Sequence, residues 1–359
     1  MFGFLFIDEL TAQLNSIYPV FNKAEFKNKL IDSDYAMLGL NGRMRRITQT
    51  MRLFLPDDFK KSLSILHEVI PKMKTGYTTI IFPDYVGLYG KNNFDLSLKA
   101  LRDFTSYGTS EFAIREFLKL DFERTIDVMY SWARDNNPHV RRLASEGSRP
   151  RLPWSFKLNE VMDNPYSTEL ILNRLKTDNE LYVKKSVANH LNDISKDNTD
   201  AFFTIINKWN HDNKNTNWII KHAGRNLIKK GNPSMLKLMG VNTGAYLSSV
   251  NLNVKTDKLR LGDYLSFEAK FKSEKKQKLI IDYAVFYVKQ KSKNFKKVFK
   301  LKILNVEKGE VIKISKKQLI KNFSTRKHFA GEHKIELLIN GISVSNSKFY
   351  LEIVNTENQ

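Results

Sequence analysis

The spacing of apolar residues changes near Gly240, and this change restricts the chain to two dissimilar parts. Before it, segments such as FKKSLSILHEVI (59–70) and FERTIDVMYSWARD (122–135) place apolar residues at the period of amphipathic helices. After it, segments such as LSFEAKFKS (265–273) and KKVFKLKILNV (296–306) alternate with period two, as half-buried strands do. Because the two periods suit different secondary structures, the sequence predicts a helical domain followed by a β domain.

The helical part contains a weak internal repeat. Aligning Val140, Val183 and Ile219 in NPHVRRLASEG, LYVKKSVANHLNDISKD and NWIIKHAGRNLIKKG gives spacings of 43 and 36 residues. Paired-helix repeats of the HEAT type have periods of about 40–47 residues. Stacked helix pairs form a curved solenoid whose concave face is a natural binding surface. We therefore expect residues 1–238 to form a HEAT-like α-helical solenoid.

Residues 245–359 contain about seven short strand-like segments, separated by turn signals such as Leu261-Gly262-Asp263 and Asn340-Gly341. This number of strands in about 110 residues is typical of an immunoglobulin-like β-sandwich. The Cys…Trp…Cys signature of antibody domains is absent, so the number of strands alone supports this fold. The segment MGVNTGAYLSS (239–249) is the predicted linker between the two domains.

The net charge is strongly positive, +21 at pH 7. Such an excess favours a polyanionic partner, either nucleic acid or an anionic membrane surface. Residues 241–359 carry 24 Lys+Arg against 11 Asp+Glu, almost entirely as lysine, whereas the arginines are concentrated before them. Because a guanidinium fits a phosphate bidentately while lysines give a diffuse field, this distribution predicts a specific anion site in the first part.

Several classes of protein are excluded by what the sequence lacks. The chain has no cysteine, which excludes disulfides and thiolate metal sites and is consistent with a reducing compartment, so we expect a cytoplasmic protein. No apolar run approaches the length of a membrane span, and MFGFLFIDELTAQL lacks the basic region of a signal peptide. The seven histidines form no metal-binding motif and no phosphate-binding glycine loop occurs, so we expect no metal and no cofactor. Without heptads, a monomer is expected.

The segment HVRRLASEGSRPRLPW (139–154) concentrates four arginines: Arg141, Arg142, Arg149 and Arg151. The preceding NNP signals a helix start, and two prolines stiffen the following loop, so its arginines are held at little entropic cost. Adjacent residues on a helix diverge by about 100°, so one of the first two arginines must point elsewhere. The alternative interpretation is a solvated basic helix face followed by a buried tryptophan.

Three segments carry a resemblance to a known family: SEFAIREFL (110–118), NPHVRRLASEGSRPRLPW (137–154) and VKKSVANHLNDISKD (183–197). With LNGRMRRITQTMRLFLPDDF (40–59) and FPDYVGLYG (82–90), they resemble the DNA alkylation repair glycosylases of the AlkC type over essentially the whole helical part. The β part is similar to the immunoglobulin-like domain that some of these enzymes append. The resemblance implies a DNA glycosylase of base excision repair. Such an enzyme hydrolyses the N-glycosidic bond of cationic alkylated bases of the 3-methyladenine class in duplex DNA, without flipping the base.

This resemblance implies that Glu111 and Asp193 are catalytic. A base alkylated at a ring nitrogen is already a cationic leaving group, so the difficult part is the sugar, which becomes oxocarbenium-like. A carboxylate near the sugar stabilises that charge and can position the attacking water. From the residues alone, Ser110-Glu111 can instead cap a helix, and Asp193 can belong to the polar end of a repeat.

The resemblance also implies a set of DNA-binding residues. Arginines would hold the phosphates beside the lesion, and a tryptophan would form a flat wall against the sugar-phosphate or the opened base pair. His190 can also serve as a structural hydrogen-bonding residue. The implied DNA-binding residues are Arg142, Arg149, Arg151, Trp154, Asn189 and His190.

Two other functions are compatible with these features. The first is a catalytically inert HEAT-repeat scaffold that binds DNA. The second is a solenoid that binds a protein partner on its concave face, which leaves the arginine-rich loop and the basic β part unexplained. The glycosylase and the inert scaffold both predict salt-dependent DNA binding, and they differ in what the carboxylates do.

Overall fold

The computed structural model of the 359-residue chain describes residues 1–32, 34–289, 295–323 and 327–353. Within these residues the first part is helical and the last part is built of strands, which confirms the predicted fold class. No described helix has the length and hydropathy needed to cross a membrane.

Sixteen α-helices occur among the described residues, with four short 3-10 helices at Tyr35–Met37, Ile70–Lys72, Tyr77–Ile80 and Pro165–Thr168. The α-helices are α1 (Phe4–Ile17), α2 (Lys23–Leu30), α3 (Leu40–Phe54), α4 (Phe59–Val69), α5 (Ile81–Tyr89), α6 (Phe94–Phe104), α7 (Ile114–Leu120), α8 (Phe122–Trp132), α9 (Pro138–Gly147), α10 (Asn159–Asp163), α11 (Glu169–Leu175), α12 (Leu181–Asp197), α13 (Thr199–Asn207), α14 (Lys214–Ala223), α15 (Arg225–Lys229) and α16 (Pro233–Leu238).

The helix starts follow capping chemistry. Asp58, Asp121 and Asn137 precede α4, α8 and α9, and each side chain accepts a hydrogen bond from a backbone N–H of the first turn. The alternative in which Ser110 caps a helix does not hold, because α7 begins only at Ile114. The Ser110 hydroxyl donates to the carbonyl of Leu101 at 2.7 Å, so it is used in the core instead of at a helix end.

The weak sequence repeat corresponds to packed helices. Val140 of α9, Val183 of α12 and Ile219 of α14 are all buried. Helix α12 packs against both α9 and α14. The aligned apolar residues therefore mark the buried faces of three helices that pack side by side, and this packing brings the ends of α9 and α12 together.

Eight strands occur among the described residues: β1 (Leu247–Val254), β2 (Lys258–Arg260), β3 (Tyr264–Ser273), β4 (Gln277–Tyr287), β5 (Phe295–Val306), β6 (Val311–Leu319), β7 (Gly331–Ile339) and β8 (Ile342–Glu352). They form a three-stranded sheet of order β1-β3-β6 and a five-stranded sheet of order β2-β8-β7-β4-β5. All pairs are antiparallel except β2 with β8.

The two sheets share one apolar core, as in a β-sandwich. Phe267 of β3 and Tyr283 of β4 pack across it with ring centroids 5.0 Å apart. The predicted Asn340-Gly341 turn joins β7 to β8, and both residues have positive φ, as a two-residue hairpin turn requires.

The chain divides into two compact units, residues 1–223 and 224–359. Helices α15 and α16 therefore group with the strands, so the division falls earlier than residue 238. Leu236 and Val241 pack with Ile280 of β4 in one buried cluster, and Lys278 Nζ donates to the carbonyl of Met239 at 2.7 Å. Helices α15 and α16 keep the apolar period of a helix although they group with the strands. The change of period near Gly240 therefore lies after the boundary between the two units.

Candidate active site

The candidate site is built on α9, the loop that follows it, and α12. Helix α9 begins at Pro138 and buries Val140, Leu143 and Ala144 against the helical core. Residues 142 and 146 are separated by one helical turn and share the opposite side. The buried face of α9 thus determines which charged side chains meet the end of α12.

Arg141 and Arg142 have separate partners. Arg141 Nε donates to Asp178 at 2.6 Å, and its Nη1 donates to the carbonyls of Asp135 and Asn136 at 3.0 and 2.9 Å. Arg142 instead turns towards Glu111. This divergence agrees with the 100° step between adjacent helical residues.

Glu111 lies in the turn that immediately precedes α7, rather than at the first residue of a helix. Its Oε2 accepts a hydrogen bond from the Thr109 hydroxyl at 2.8 Å and forms an ion pair with Arg142 Nη1. Arg142 Nη1 also donates to Thr109 Oγ1 at 3.0 Å. Glu111 is 9% exposed, so this residue is almost completely buried but retains a small contact with solvent.

Asp193 lies on α12 and is 1% exposed. Its Oδ2 is 2.8 Å from Arg149 Nε and 2.7 Å from Arg149 Nη2, and its Oδ1 is 2.8 Å from Lys196 Nζ. A buried carboxylate needs this kind of compensation, because an unpaired charge in the interior is strongly unfavourable.

Glu146 lies between the two arginines. Its Oε1 accepts from Arg149 Nη1 at 2.6 Å and lies 3.6 Å from Arg142 Nη2. Burial acts to raise the pKa of Glu146, but Arg142 and Arg149 outweigh it and hold this pKa below its usual value. We call the resulting set of alternating charges the charge network; it consists of Glu111, Arg142, Glu146, Arg149, Asp193 and Lys196.

Arg115 of α7 is fully buried and fixes the loop after α9 by hydrogen bonds to its backbone. Its Nη1 donates to the carbonyls of Gly147 and Arg149 at 3.0 and 2.7 Å, and its Nη2 donates to the carbonyl of Phe156. The guanidinium also lies 5.1 Å from the Phe156 ring centroid. Burial lowers the pKa of Arg115 to about 10, so it remains a cation at neutral pH.

The same loop presents two outward residues. Trp154 is 77% exposed and has φ of +66°, a conformation that non-glycine residues rarely adopt. Arg151 is partly exposed, and its Nε donates to Asp197 Oδ2 at 2.7 Å. A strained backbone that holds an aromatic side chain in solvent is typical of a site that meets a ligand.

The sequence-predicted DNA-binding residues divide into inward and outward groups. Arg149 is buried, and its three guanidinium nitrogens contact carboxylate oxygens, so in this conformation it orients Asp193 and Glu146. Arg142 is also held by acids at the edge of the site. Arg151 and Trp154 are the members of the set that are accessible to a large ligand.

His190 belongs to the inward group and is fully buried. Its Nδ1 is 2.9 Å from the carbonyl of Ser145 and its Nε2 is 3.1 Å from the Thr168 hydroxyl. Burial lowers the pKa of His190 to about 4, so the ring is neutral and its Nδ1–H donates to the carbonyl. The geometry favours the structural alternative for this histidine, which connects α9 to α12. Its neighbour Asn189 is half-buried on α12.

Three side chains that shape the site were not among the predicted residues: Glu146, Arg115 and Tyr182. Glu146 was visible as the one acid among the arginines of residues 139–154, and its spacing of four from Arg142 and three from Arg149 could have identified it. Tyr182 lies over the Arg142 guanidinium at 5.0 Å, a cation–π contact between successive repeats that no local pattern indicates.

Among the described residues, no group of three or more His, Asp or Glu side chains is placed to hold a metal ion.

Comparison with known proteins gives the class of this chain. A family described as DNA alkylation repair enzyme matches residues 89–227, and a family described as the C-terminal Ig-like domain of the uncharacterised protein YhaZ matches residues 248–353. The chain belongs to the DNA alkylation repair enzyme family, in the group that carries this C-terminal domain.

Two individual proteins are similar along nearly the whole chain. The uncharacterized protein YhaZ of Bacillus subtilis strain 168 is 41% identical over 335 residues, which are 93% of this chain and 94% of that protein. The alkylpurine DNA glycosylase AlkC of Pseudomonas fluorescens, solved bound to DNA containing an abasic site analog, is 39% identical with a TM-score of 0.93, and 98% of each chain is covered.

Proposed function

We propose that this protein is a DNA glycosylase that hydrolyses the N-glycosidic bond of cationic alkylated bases of the 3-methyladenine class in duplex DNA. The observation that carries the proposal is that two buried carboxylates, Glu111 and Asp193, belong to one charge network, while the loop that carries Arg149 also presents an exposed tryptophan. The similarity to AlkC, whose structure contains DNA, supports the same function. Excision without base flipping is part of the proposal, since the AlkC-type resemblance implies it.

The chemistry requires little from the protein. The C1′–N bond breaks with its electron pair going to the base, which leaves as a neutral molecule because it was cationic before. The sugar acquires oxocarbenium character, and a water oxygen attacks C1′ and loses its extra proton to the surrounding water. Glu111 and Asp193 act here through their negative charge and by orienting that water. No strong general acid is needed, because the leaving group is already activated.

The outward residues provide DNA contact. Arg151 contacts a phosphate beside the lesion, exchanging its ion pair with Asp197 for one with DNA. Trp154 rests against the sugar-phosphate backbone, where its flat ring excludes water. Arg142 lies at the edge of the charge network, so an approaching phosphate can draw its guanidinium from Glu111 and leave that carboxylate facing the sugar.

A catalytically inert DNA-binding scaffold is the second candidate, and one observation favours it. Both carboxylates are ion-paired, as they would be in a network that only stabilises the fold. A scaffold would gain DNA affinity from the loss of either negative charge and would have no rate to lose. A glycosylase would lose base excision.

The deciding experiment is an assay for free base released from methylated duplex DNA, with the enzyme in excess and spontaneous loss subtracted. Separate substrates that carry 3-methyladenine, 1-methyladenine or 3-methylcytosine define the substrate class. Release above background by the wild-type protein, abolished in the E111Q/D193N double variant, supports the glycosylase. Tight DNA binding without release on any substrate supports the scaffold.

A further inference from the structure

Glu146 has a position that the reaction described above does not use. It is 6% exposed and lies between the two arginines of the charge network. A single oxygen, Oε1, faces both Arg149 Nη1 at 2.6 Å and Arg142 Nη2 at 3.6 Å. Each of these arginines also forms an ion pair with one of the two proposed catalytic carboxylates: Arg142 with Glu111, and Arg149 with Asp193.

We propose that Glu146 is a positioning residue for base excision, which sets the place and the charge of Glu111 and Asp193 through Arg142 and Arg149. The inference rests on the proposed glycosylase function. It assigns Glu146 no contact with the sugar, because both of its ion-pair partners are the arginines that hold the two carboxylates.

In the charge network, two arginine cations are shared among three carboxylates. Each arginine lies between two carboxylates, so neither is drawn fully onto Glu111 or Asp193. Without the charge of Glu146, both guanidinium groups are attracted by one carboxylate only. They then neutralise Glu111 and Asp193 more completely, and these carboxylates stabilise a developing positive charge on the sugar less.

Alternating signs also explain why this arrangement tolerates burial. Three anions and three cations compensate one another along the charge network. Removing a central charge leaves its partners unbalanced, and in the interior this has larger consequences than the loss of one surface ion pair. The effect of Glu146 therefore reaches both carboxylates, although α9 carries neither of them.

The test compares E146Q with wild-type protein in single-turnover base release and in DNA binding. We expect the rate at saturating enzyme to fall by about 10- to 100-fold, the effect of displacing catalytic groups by a fraction of an ångström. We expect the dissociation constant for duplex DNA to stay the same or to decrease, since a negative charge is lost. Glu336 of β7, a buried carboxylate that Lys334 holds at 2.8 Å, provides the matched control E336Q, which should keep the wild-type rate.

A double-mutant cycle separates positioning from an independent contribution. If Glu146 acts on the two carboxylates, E146Q lowers the rate by a smaller factor in an E111Q or D193N background than in the wild type. Equal factors in all three backgrounds overturn the proposal, as does an E146Q rate equal to wild type. A wild-type protein without base release contradicts the proposed function instead, so the two failures are distinguishable.

A second variant covers the case in which E146Q does not fold. E146D keeps the negative charge but withdraws it by one methylene, which lengthens both contacts of Oε1. We expect E146D to keep the far-ultraviolet circular dichroism spectrum of the wild type and to lose at least several-fold in saturating rate. A folded E146D with the wild-type rate shows that the placement of this carboxylate does not matter, and the proposal fails.

Discussion

Arg149 approaches one oxygen of Asp193 with two nitrogens, Nε at 2.8 Å and Nη2 at 2.7 Å. Its third nitrogen donates to Glu146 at 2.6 Å, so the guanidinium joins the loop after α9 to helix α12. Because a planar guanidinium has a fixed fork of donors, these contacts restrict the rotation of the Asp193 carboxylate. The loop that presents Trp154 to solvent thereby also orients a carboxylate of the candidate site.

The first prediction is that E111Q and D193N retain DNA binding but lose base excision. Each substitution removes a negative charge that would stabilise an oxocarbenium-like sugar, and a loss of about 10²–10⁴ in rate is expected for a missing electrostatic group. DNA affinity should stay the same or rise, because a carboxylate near phosphates repels them. Single-turnover base release and fluorescence anisotropy with the same duplex measure the two effects.

The control for this prediction is D178N, which removes the partner of Arg141 away from the charge network. It should keep the wild-type excision rate. Wild-type activity in the E111Q/D193N double variant contradicts the assignment of the site.

The second prediction distinguishes Arg151 from Arg149. R151A should reduce the slope of log K against log salt by about one, as the loss of one phosphate contact does. R149A should leave that slope nearly unchanged while lowering the thermal unfolding midpoint, because Arg149 is buried between Glu146 and Asp193. Titrations of duplex DNA over a range of salt concentrations measure the slope. Equal slope changes in the two variants would mean that Arg149 leaves the charge network when DNA binds.

The third prediction concerns Arg115. R115M should destabilise the helical unit, because the carbonyls of Gly147, Arg149 and Phe156 each lose their donor. A buried carbonyl without a partner costs roughly 1–3 kcal/mol, so the total loss is large compared with the usual stability of a domain. Denaturant unfolding gives the change. R115K should recover only part of it, since an ammonium cannot reach three carbonyls with the geometry of a guanidinium.

Much of the architecture follows from the sequence because hydrophobic periods are local. The helices α4, α6 and α8 begin where their apolar periodicity begins, and the turn at Asn340-Gly341 joins the two predicted strands. The separate partners of Arg141 and Arg142 likewise follow from the geometry of a single helix. Such features depend on residues a few positions apart, and these are visible in any window of the chain.

The parts that escaped prediction depend on contacts between distant segments. The sequence indicates a phosphate contact for Arg149, and it contains no local sign of the ion pair that Arg149 forms with Asp193, 44 residues further along. Nothing in the sequence around Arg115 indicates that this side chain donates to carbonyls of the loop after α9. The division of the chain before residue 238 has the same origin, since Leu236 packs on Ile280 of a strand.

The fourth prediction is a pH dependence of stability caused by His190. Burial lowers its pKa to about 4 in the folded protein, whereas in the unfolded chain it titrates near 6.5. The unfolded state therefore binds a proton first as the pH falls. The stability that comes from burying the neutral ring is fully present above about pH 6.5 and is lost progressively towards pH 4, by up to about 1.4 kcal/mol per pH unit.

The variant H190Q tests this prediction. Like the neutral ring that contacts the Ser145 carbonyl and the Thr168 hydroxyl, a glutamine side chain has a hydrogen-bond donor and an acceptor, but it does not titrate. The free energy of unfolding should fall less steeply between pH 6.5 and pH 4 in H190Q than in the wild type. The other histidines are common to both proteins, so the difference between the two slopes reports on His190. Parallel slopes would show that this histidine is protonated without cost in the folded state.

The last prediction concerns the contribution of residues 224–359 to DNA binding. These residues carry 28 Lys+Arg against 11 Asp+Glu, so they account for +17 of the net charge of +21. A diffuse lysine field raises the affinity for any duplex without selecting a lesion. The carboxylates and arginines of the charge network all lie in residues 1–223. We therefore propose that the β-containing unit supplies general affinity and that the helical unit performs the chemistry.

A protein that ends at Ala223 should retain the helical circular dichroism of the first unit, since that unit has its own buried core. It should bind methylated duplex more weakly and with a smaller salt dependence, yet reach the full-length single-turnover rate at saturating enzyme. Rates measured against enzyme concentration for both proteins separate affinity from chemistry. A collapsed saturating rate in a folded truncated protein would mean that the second unit completes the active site. Unchanged affinity and rate would mean that the lysine field has no role on DNA.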